Sequence, residues 1–233
     1  MITSVFFDLD DTLLDFKKAE AMALRNTLAQ FGLNPTPETV ALYSAINQSQ
    51  WELLELGAIT RDQLLHRRFD ILFEKLGLHR DSRQVQQVYE RRLGMGHDFI
   101  PGAPELLEQL SPSYDLYLVS NGTASVQDTR LESAGISRYF KGIFISQRVG
   151  HDKPSKAFFD HCFAAVPGLS PAQSLIVGDS LTSDIRGGNN AGMQTCWFNP
   201  SGKPRRSDIP VDYEITALNQ LPTLLTSLSA SPA

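Results

Sequence analysis

Short apolar runs that stop at polar or glycine-bearing turns recur along the chain: ITSVFFD (2–8), DLYLVSNG (115–122), KGIFIS (141–146), SLIVGDS (174–180) and QTCWFN (194–199). Few polar positions interrupt them, which predicts strands covered on both faces. Between them, APELLEQL (103–110), SVQDTRLESAG (125–135) and SKAFFDHCFAAV (155–166) have the spacing of helices. Strands alternating with helices predict a parallel α/β sheet, and such sheets bind ligands beyond the carboxyl ends of their strands.

Residues 15 to 98 break the rhythm, since nothing there resembles a strand. FKKAEAMALRNTLAQFG puts Leu24, Leu28 and Phe31 on one face and stops at Gly32. PTPETVALYSAINQSQWELLELG opens on a Pro and Thr entry signal and ends at Gly57; TRDQLLHRRFDILFEKLG has Thr60 as its N-cap and closes at Gly77. DSRQVQQVYERRLG is a fourth helix. Four helices with short links predict a small bundle. The expected architecture is a Rossmann-like, doubly wound parallel sheet built from residues 1–14 and 99–233, with a helical cap, 15–98, inserted after the first strand. The tail SLSASPA is expected to fray.

Composition narrows the function. With 233 residues, 42% of them apolar, the chain suits one large domain or a domain with an insertion. A net charge of -5 gives no basic face for nucleic acid. MITSVFFDLDD has no basic start and runs into acids, unlike a secretory leader, and no run approaches a membrane span. Cys162 and Cys196 lack CxxC spacing and read as free thiols of a reducing cytoplasm. His66, His97, His151 and His161 show no ligand spacing with either cysteine or each other, which argues against zinc.

The chemistry collects at the strand ends. Asp8, Asp10, Asp11 and Thr12 follow the first strand and Ser120-Asn121-Gly122 the second; Lys153-Pro154 follows a loop, and Asp179 and Asp184 follow the fourth strand. Buried carboxylates stay ionised only with a cation, hydrogen bonds or solvent. Two from different strands can hold a hard cation that keeps sites for water and a phosphate oxygen, while a hydroxyl or amide binds the other oxygens and a lysine supplies charge. That combination fits phosphoryl transfer.

The motifs DLDDT, SNG, KP and GDSLTSD, in that order, resemble those of the haloacid dehalogenase superfamily of aspartate-nucleophile phosphatases with a helical cap. The cap's YSAINQSQWELLELGAIT and QLLHRRF and the core's VGDSLTSDIRGGNNAGMQTCWFN are similar to the cytoplasmic pyrimidine 5′-nucleotidases. The resemblance implies Asp8 as nucleophile, Asp10 as general acid and base, and Mg²⁺ held by Asp8, Asp179 and the backbone carbonyl of Asp10. Thr12, Ser120, Asn121 and Gly122 are implied phosphate binders, and Lys153 the neutralising charge. Asp184 is expected behind them, holding Lys153 or metal-bound water, or else capping the segment that follows. The partner is a small phosphomonoester such as a nucleoside monophosphate, with Asn47 and Trp51, four apart on one helix face, as cap contacts. Trp51 also suits cap core.

Other residues have plainer explanations. Asp11 reads as a turn or capping residue, Gly187 and Gly188 as close helix packing or a turn, and Arg67-Arg68 as a solvated helix face. Sugar-phosphate phosphatases and phosphomutases share the same core motifs. An aspartyl-phosphate signalling module also gathers acids and a lysine but needs no cap. A dehalogenase has no use for an acid at Asp10.

Overall fold

A computed structural model describes residues 1–230. Its centre is a sheet of β1 (Ser4–Phe7), β2 (Asp115–Ser120), β3 (Gly142–Ile145), β4 (Ser174–Gly178), β5 (Gln194–Phe198) and β6 (Tyr213–Ile215). All pairings are parallel, in the order β3-β2-β1-β4-β5-β6. Connections run outward in opposite directions from β1 and β4, so a crevice opens at their carboxyl ends, where open α/β sheets bind ligands. β6 carries no legible signal: its three residues, YEI, are too few to show a pattern, and they are recruited by pairing with Cys196–Phe198.

Between β1 and β2 lie α1 (Phe16–Gln30), α2 (Pro37–Glu55), α3 (Arg61–Lys75) and α4 (Ser82–Leu93). Each begins where a side chain satisfies a backbone N–H that the first turn leaves open. Asp15, Thr36 and Asp81 accept from Lys18, Thr39 and Arg83, and Thr60 forms a reciprocal box with Gln63. The bundle's interior is aromatic: the rings of Tyr43, Phe69 and Tyr89 lie 5.0, 5.5 and 5.4 Å apart, pair by pair. Asp11, at φ 57°, accepts from the N–H groups of Phe16 and Lys17 and so turns the chain into α1.

The remaining helices are α5 (Ala103–Leu110), α6 (Ala124–Ala134), α7 (Ser146–Val149), α8 (Lys156–Ala165), α9 (Arg186–Ala191) and α10 (Leu221–Ala230). They cover both faces, and the strands divide their side chains by alternation. Val5, Phe7, Leu116, Leu118, Leu175 and Val177 pack with α5, Leu131 of α6 and α10. Phe6, Tyr117, Val119 and Ile176 pack on the other side with Phe158, Phe159 and Cys162 of α8. Both cysteines are buried and free. No helix among the described residues is long and apolar enough to cross a membrane. The expected fraying of SLSASPA is corrected as far as Ala230, because α10 continues to that residue; 231–233 lie outside the described residues.

The paired glycines Gly187 and Gly188 begin α9, which lies flat on the sheet. A Cβ on Gly188 would stand 2.4 Å from Ile176 Cγ2 and 2.9 Å from Thr195 Cγ2, both on buried strands that cannot recede. Gly188→Ala should therefore destabilise the protein by about 1–3 kcal/mol, the usual cost of overpacking. Urea denaturation checks this, and an unchanged midpoint would show that α9 can lift away freely.

Candidate active site

Asp8 and Asp179 leave β1 and β4 on either side of the crevice. The Asp8 N–H continues the ladder by donating to Val177 O at 3.0 Å. Asp179 is braced through its backbone, its N–H donating to Thr12 Oγ1 at 3.1 Å and its carbonyl accepting from Trp197 Nε1 at 2.9 Å. Asp184 sits on a wide π-type turn, Leu181–Ile185, capped by Ser180. One carboxylate oxygen from each of Asp8, Asp179 and Asp184 lies within 4.8 Å of the others.

Among these acids stands Lys153, 1% exposed. Its ammonium donates to Asp8 Oδ1 at 2.6 Å, Asp184 Oδ1 at 2.7 Å and Val119 O at 2.9 Å, so all three donors are placed. Asn121 fixes the lysine's backbone from both sides, donating to Lys153 O and accepting from Lys153 N at 2.8 Å each. Burial works against the ammonium, but Asp184 and Asp8 together outweigh it and hold its pKa above the ordinary lysine value. For Asp8, burial raises the pKa well above the usual carboxylate value, and Lys153 only partly offsets it. Asp179 is pushed up to about 7 by burial first, then by the charges of Asp184 and Asp11.

The other expected residues each have defined partners. Thr12 is fully buried, accepting from Asp179 N and making a long 3.5 Å contact with Asp8 Oδ2, so its hydroxyl bridges the two acids. Ser120 Oγ accepts from Gly122 N at 3.1 Å and Gln127 Nε2 at 2.8 Å, which leaves its own hydrogen to donate. Asp10 turns its side chain away from the acid cluster toward α6, where Gln127 Nε2 donates to Oδ2 at 2.6 Å and Arg130 donates to Oδ1. Asp184 joins the cluster, accepting from Lys153 Nζ and from Ser180 N; its second bond reaches back to the turn, and the start of α9 carries no side-chain cap. Asn47 is 2% exposed, donating to Glu20 at 2.7 Å and accepting from Arg68 at 2.8 Å within the cap, and it borders a second cavity together with Trp51 and Asp179. Trp51 also lines the cavity at Asp8.

That cavity, of about 170 Å³, lies between the strand ends and the cap. Its walls include residues no motif announced. Beside the cavity rather than in its lining, Arg61 reaches from the start of α3 to Asn121 O at 2.8 Å, Ser146 Oγ at 2.6 Å and Asp152, and its guanidinium lies 5.5 Å from the Trp51 ring centroid. Glu55 faces the cluster from α2, its pKa pushed up to about 7 by burial. Arg68, expected on a solvated face, is 2% exposed and stands on the cavity wall, while Arg67 is exposed. A stripe does point to Arg68: Leu64, Arg68 and Leu72 are four apart, and the outer two are buried.

A parallel sheet that gathers acids around a buried lysine at its switch point, beneath a helical lid, belongs to the capped α/β hydrolases. Residues 5–198 match the haloacid dehalogenase-like hydrolases, and the chain belongs to that family. It is similar to YfnB of Bacillus subtilis, described as a HAD-hydrolase, with 42% identity covering 94% of this chain and 93% of YfnB. It is also similar to two proteins named pyrimidine 5′-nucleotidase: PynA of Streptococcus pneumoniae (36% identity, 93% and 92% covered) and YjjG of Escherichia coli (31%, 95% and 96%). The crystal structure of YfnB bound to magnesium matches with a TM-score of 0.93 at 41% identity, covering 96% of this chain and 98% of that one.

The raised pKa of Asp179 has a measurable consequence. Below about pH 4 the group is protonated folded and unfolded, so it contributes nothing. As pH rises toward 7 the unfolded chain releases its proton first, and the folded state loses relative stability until both are ionised. In chelator, Asp179→Asn should melt higher than the parent, with a gap that opens between about pH 4 and 7 and then stays level. A gap of about 3 °C or more at pH 8 is expected, since 1 kcal/mol moves Tm by about 2–4 °C in a chain of this size. A gap independent of pH would show that charge repulsion is not its cause.

Proposed function

We propose that the protein is a Mg²⁺-dependent phosphomonoester hydrolase that works through a phosphoaspartyl intermediate and takes pyrimidine nucleoside 5′-monophosphates. The observation that carries this reading is Asp8: one oxygen is held by Lys153, and the other has only a 3.5 Å contact with Thr12. A carboxylate fixed by one oxygen and open at the other is prepared to attack. The acid cluster fits a hard cation, because, of three carboxylates within 4.8 Å, the buried ammonium of Lys153 bonds two, and Asp179, with only the exposed Lys203 at 3.9 Å, is left favouring a proton. Asp8, Asp179 and the backbone carbonyl of Asp10 would hold it. Bound there, Mg²⁺ supplies charge neutralisation between nucleophile and phosphate.

The chain's own groups perform the rest. Asp8 Oδ2 forms a bond to phosphorus as the bond to the leaving oxygen breaks, and Asp10 gives that oxygen its proton. Asp10 then takes a proton from a water that attacks the same phosphorus, and the Asp8 carboxylate is released. Lys153 holds Asp8 in line, and the Ser120 hydroxyl has a hydrogen for a phosphoryl oxygen. The nucleotide reading is supported by PynA and YjjG and by an indole on the cap side of the cavity, on which a base can stack.

Chelation should remove turnover, and Mg²⁺ should restore it while raising Tm; Asp8→Asn should abolish turnover. Full activity after exhaustive dialysis into chelator would defeat the mechanism.

Substrate choice is tested at Trp51. Trp51→Ala should lower kcat/KM for UMP or dTMP by about ten- to a hundredfold, as one stacking contact implies, and change p-nitrophenyl phosphate hydrolysis far less. Equal losses on both substrates would make Trp51 cap core alone. A parent enzyme equally active on sugar phosphates would overturn the nucleotidase reading.

A further inference from the structure

Arg130 takes no part in the steps above, yet it is 0% exposed and connects separate pieces of chain. Its Nη1 donates to Asp10 Oδ1 and, at 3.0 Å, to Gln127 Oε1. Its Nε donates to Gly96 O at 2.7 Å, in the segment that returns from α4 to the core. Its guanidinium carbon lies 5.8 Å from the ring centroid of Phe16, where the chain enters α1. The two segments joining cap and core also run side by side, with Asp15 N donating to Asp98 O at 2.9 Å and Leu14 bridging to Phe99. Arg130 therefore touches both crossings and the Asp10 carboxylate at once.

Gln127 completes the cradle. It donates to Asp10 Oδ2 at 2.6 Å and to Ser120 Oγ at 2.8 Å. Its position depends on Gly122, where a Cβ would stand 2.2 Å from Gln127 Nε2. Both oxygens of Asp10 are thus aimed by one helix face. Among the described residues, Asp10 is the carboxylate paired with this buried guanidinium. A buried arginine is expensive without such a partner, so the pair is locked at this spot.

We propose that Arg130 is a positioning residue for Asp10, and that it ties the aim of the proton-transferring carboxylate to the seating of the two segments that carry the cap. The proposal rests on the reading of Asp10 as acid and base. An alkoxide leaving group needs Asp10's proton in the first step, whereas p-nitrophenolate leaves without it. Hydrolysis of the phosphoenzyme needs Asp10 as base whatever the first substrate. A misaimed Asp10 therefore spares phosphorylation by p-nitrophenyl phosphate and slows the second step.

The experiment is rapid-quench kinetics of Arg130→Met with p-nitrophenyl phosphate and Mg²⁺, beside steady-state turnover of UMP. The expected result is a burst of about one p-nitrophenolate per site, then a steady rate about a hundredfold below the parent's, the scale of lost acid–base assistance, with UMP turnover reduced at least as much. Burst and steady rate falling together would mean that Arg130 is structural, and would overturn the proposal. Asp10→Asn should show the same burst; without one, the assignment of Asp10 itself fails. If Asp10→Asn bursts and Arg130→Met does not, only the present proposal fails. In the Asp10→Asn background, Arg130→Met should cost nothing further. Should Arg130→Met not fold, Arg130→Lys, which keeps the buried charge but cannot hold Asp10, Gln127 and Gly96 together, gives the same decision: a burst followed by a slowed steady rate supports the proposal, and burst and steady rate falling together overturn it.

Discussion

Lys153 donates to Asp8, Asp184 and the carbonyl of Val119 from a position almost closed to water. Those partners belong to the end of β1, the π-type turn after β4, and β2, so one ammonium joins three neighbouring strand ends. In a low-dielectric interior an ion held this way is stable only while every partner stays, and removing one typically costs about 3–5 kcal/mol. The surrounding structure serves that requirement. Asn121 clamps the lysine's backbone, Ser180 N pins the second oxygen of Asp184, and Thr12 ties Asp8 to the backbone of Asp179. The second oxygen of Asp8 has only the 3.5 Å contact with Thr12, and the carboxylate of Asp179 only a loose pairing with the exposed Lys203 at 3.9 Å, so these are the least committed oxygens of the cluster.

The residues of the candidate site were legible because they stand where an apolar run meets a turn, and alternating strands and helices bring those points to one edge. Four cap helices were legible from their spacing and caps. Less visible were residues whose type disguised their position. Gln127 and Arg130 look like a solvated helix face, yet Arg130 lies four after Val126 and Gln127 four before Leu131, and both apolar partners are buried. Asn47 lies four after Tyr43 on the same kind of inward stripe. Composition argues for the surface at all these positions, and phase argues for the interior. Phase is correct here because Gln127, Asn47 and the Nε and Nη1 of Arg130 find polar partners inside.

The cap shows the cost of that arrangement. Glu20, Asn47, Arg68 and Gln86 form a chain of hydrogen bonds beside the aromatic triangle of Tyr43, Phe69 and Tyr89. Burial raises the pKa of Glu20, while bonds from Ser44 and Asn47 and the charge of Arg68 hold it back. The Nε of Arg68 and the Nε2 of Gln86 have no partner. An interior that is polar and incompletely satisfied fixes one arrangement of helices at the expense of stability. It thereby holds α2 and α3, whose Trp51, Glu55 and Arg61 face the strand ends, in a defined position over the site.

Two arginines join cap and core, and their surroundings differ in a way that decides which junction yields first. Arg61 grips the rim of the core at Asn121, Ser146 and Asp152 with a side chain 15% exposed, and water can replace its partners as they separate. Arg130 grips the crossings with a side chain that is 0% exposed, so its guanidinium loses Asp10 and Gly96 without solvent contact of its own. Parting charges is inexpensive at the first place and costly at the second. A cap displaced by thermal motion would therefore loosen at Arg61 and pivot about Arg130. Because Asn121 also clamps Lys153, the seat of the cap and the seat of the lysine meet in one residue, on the rim that borders Asp8.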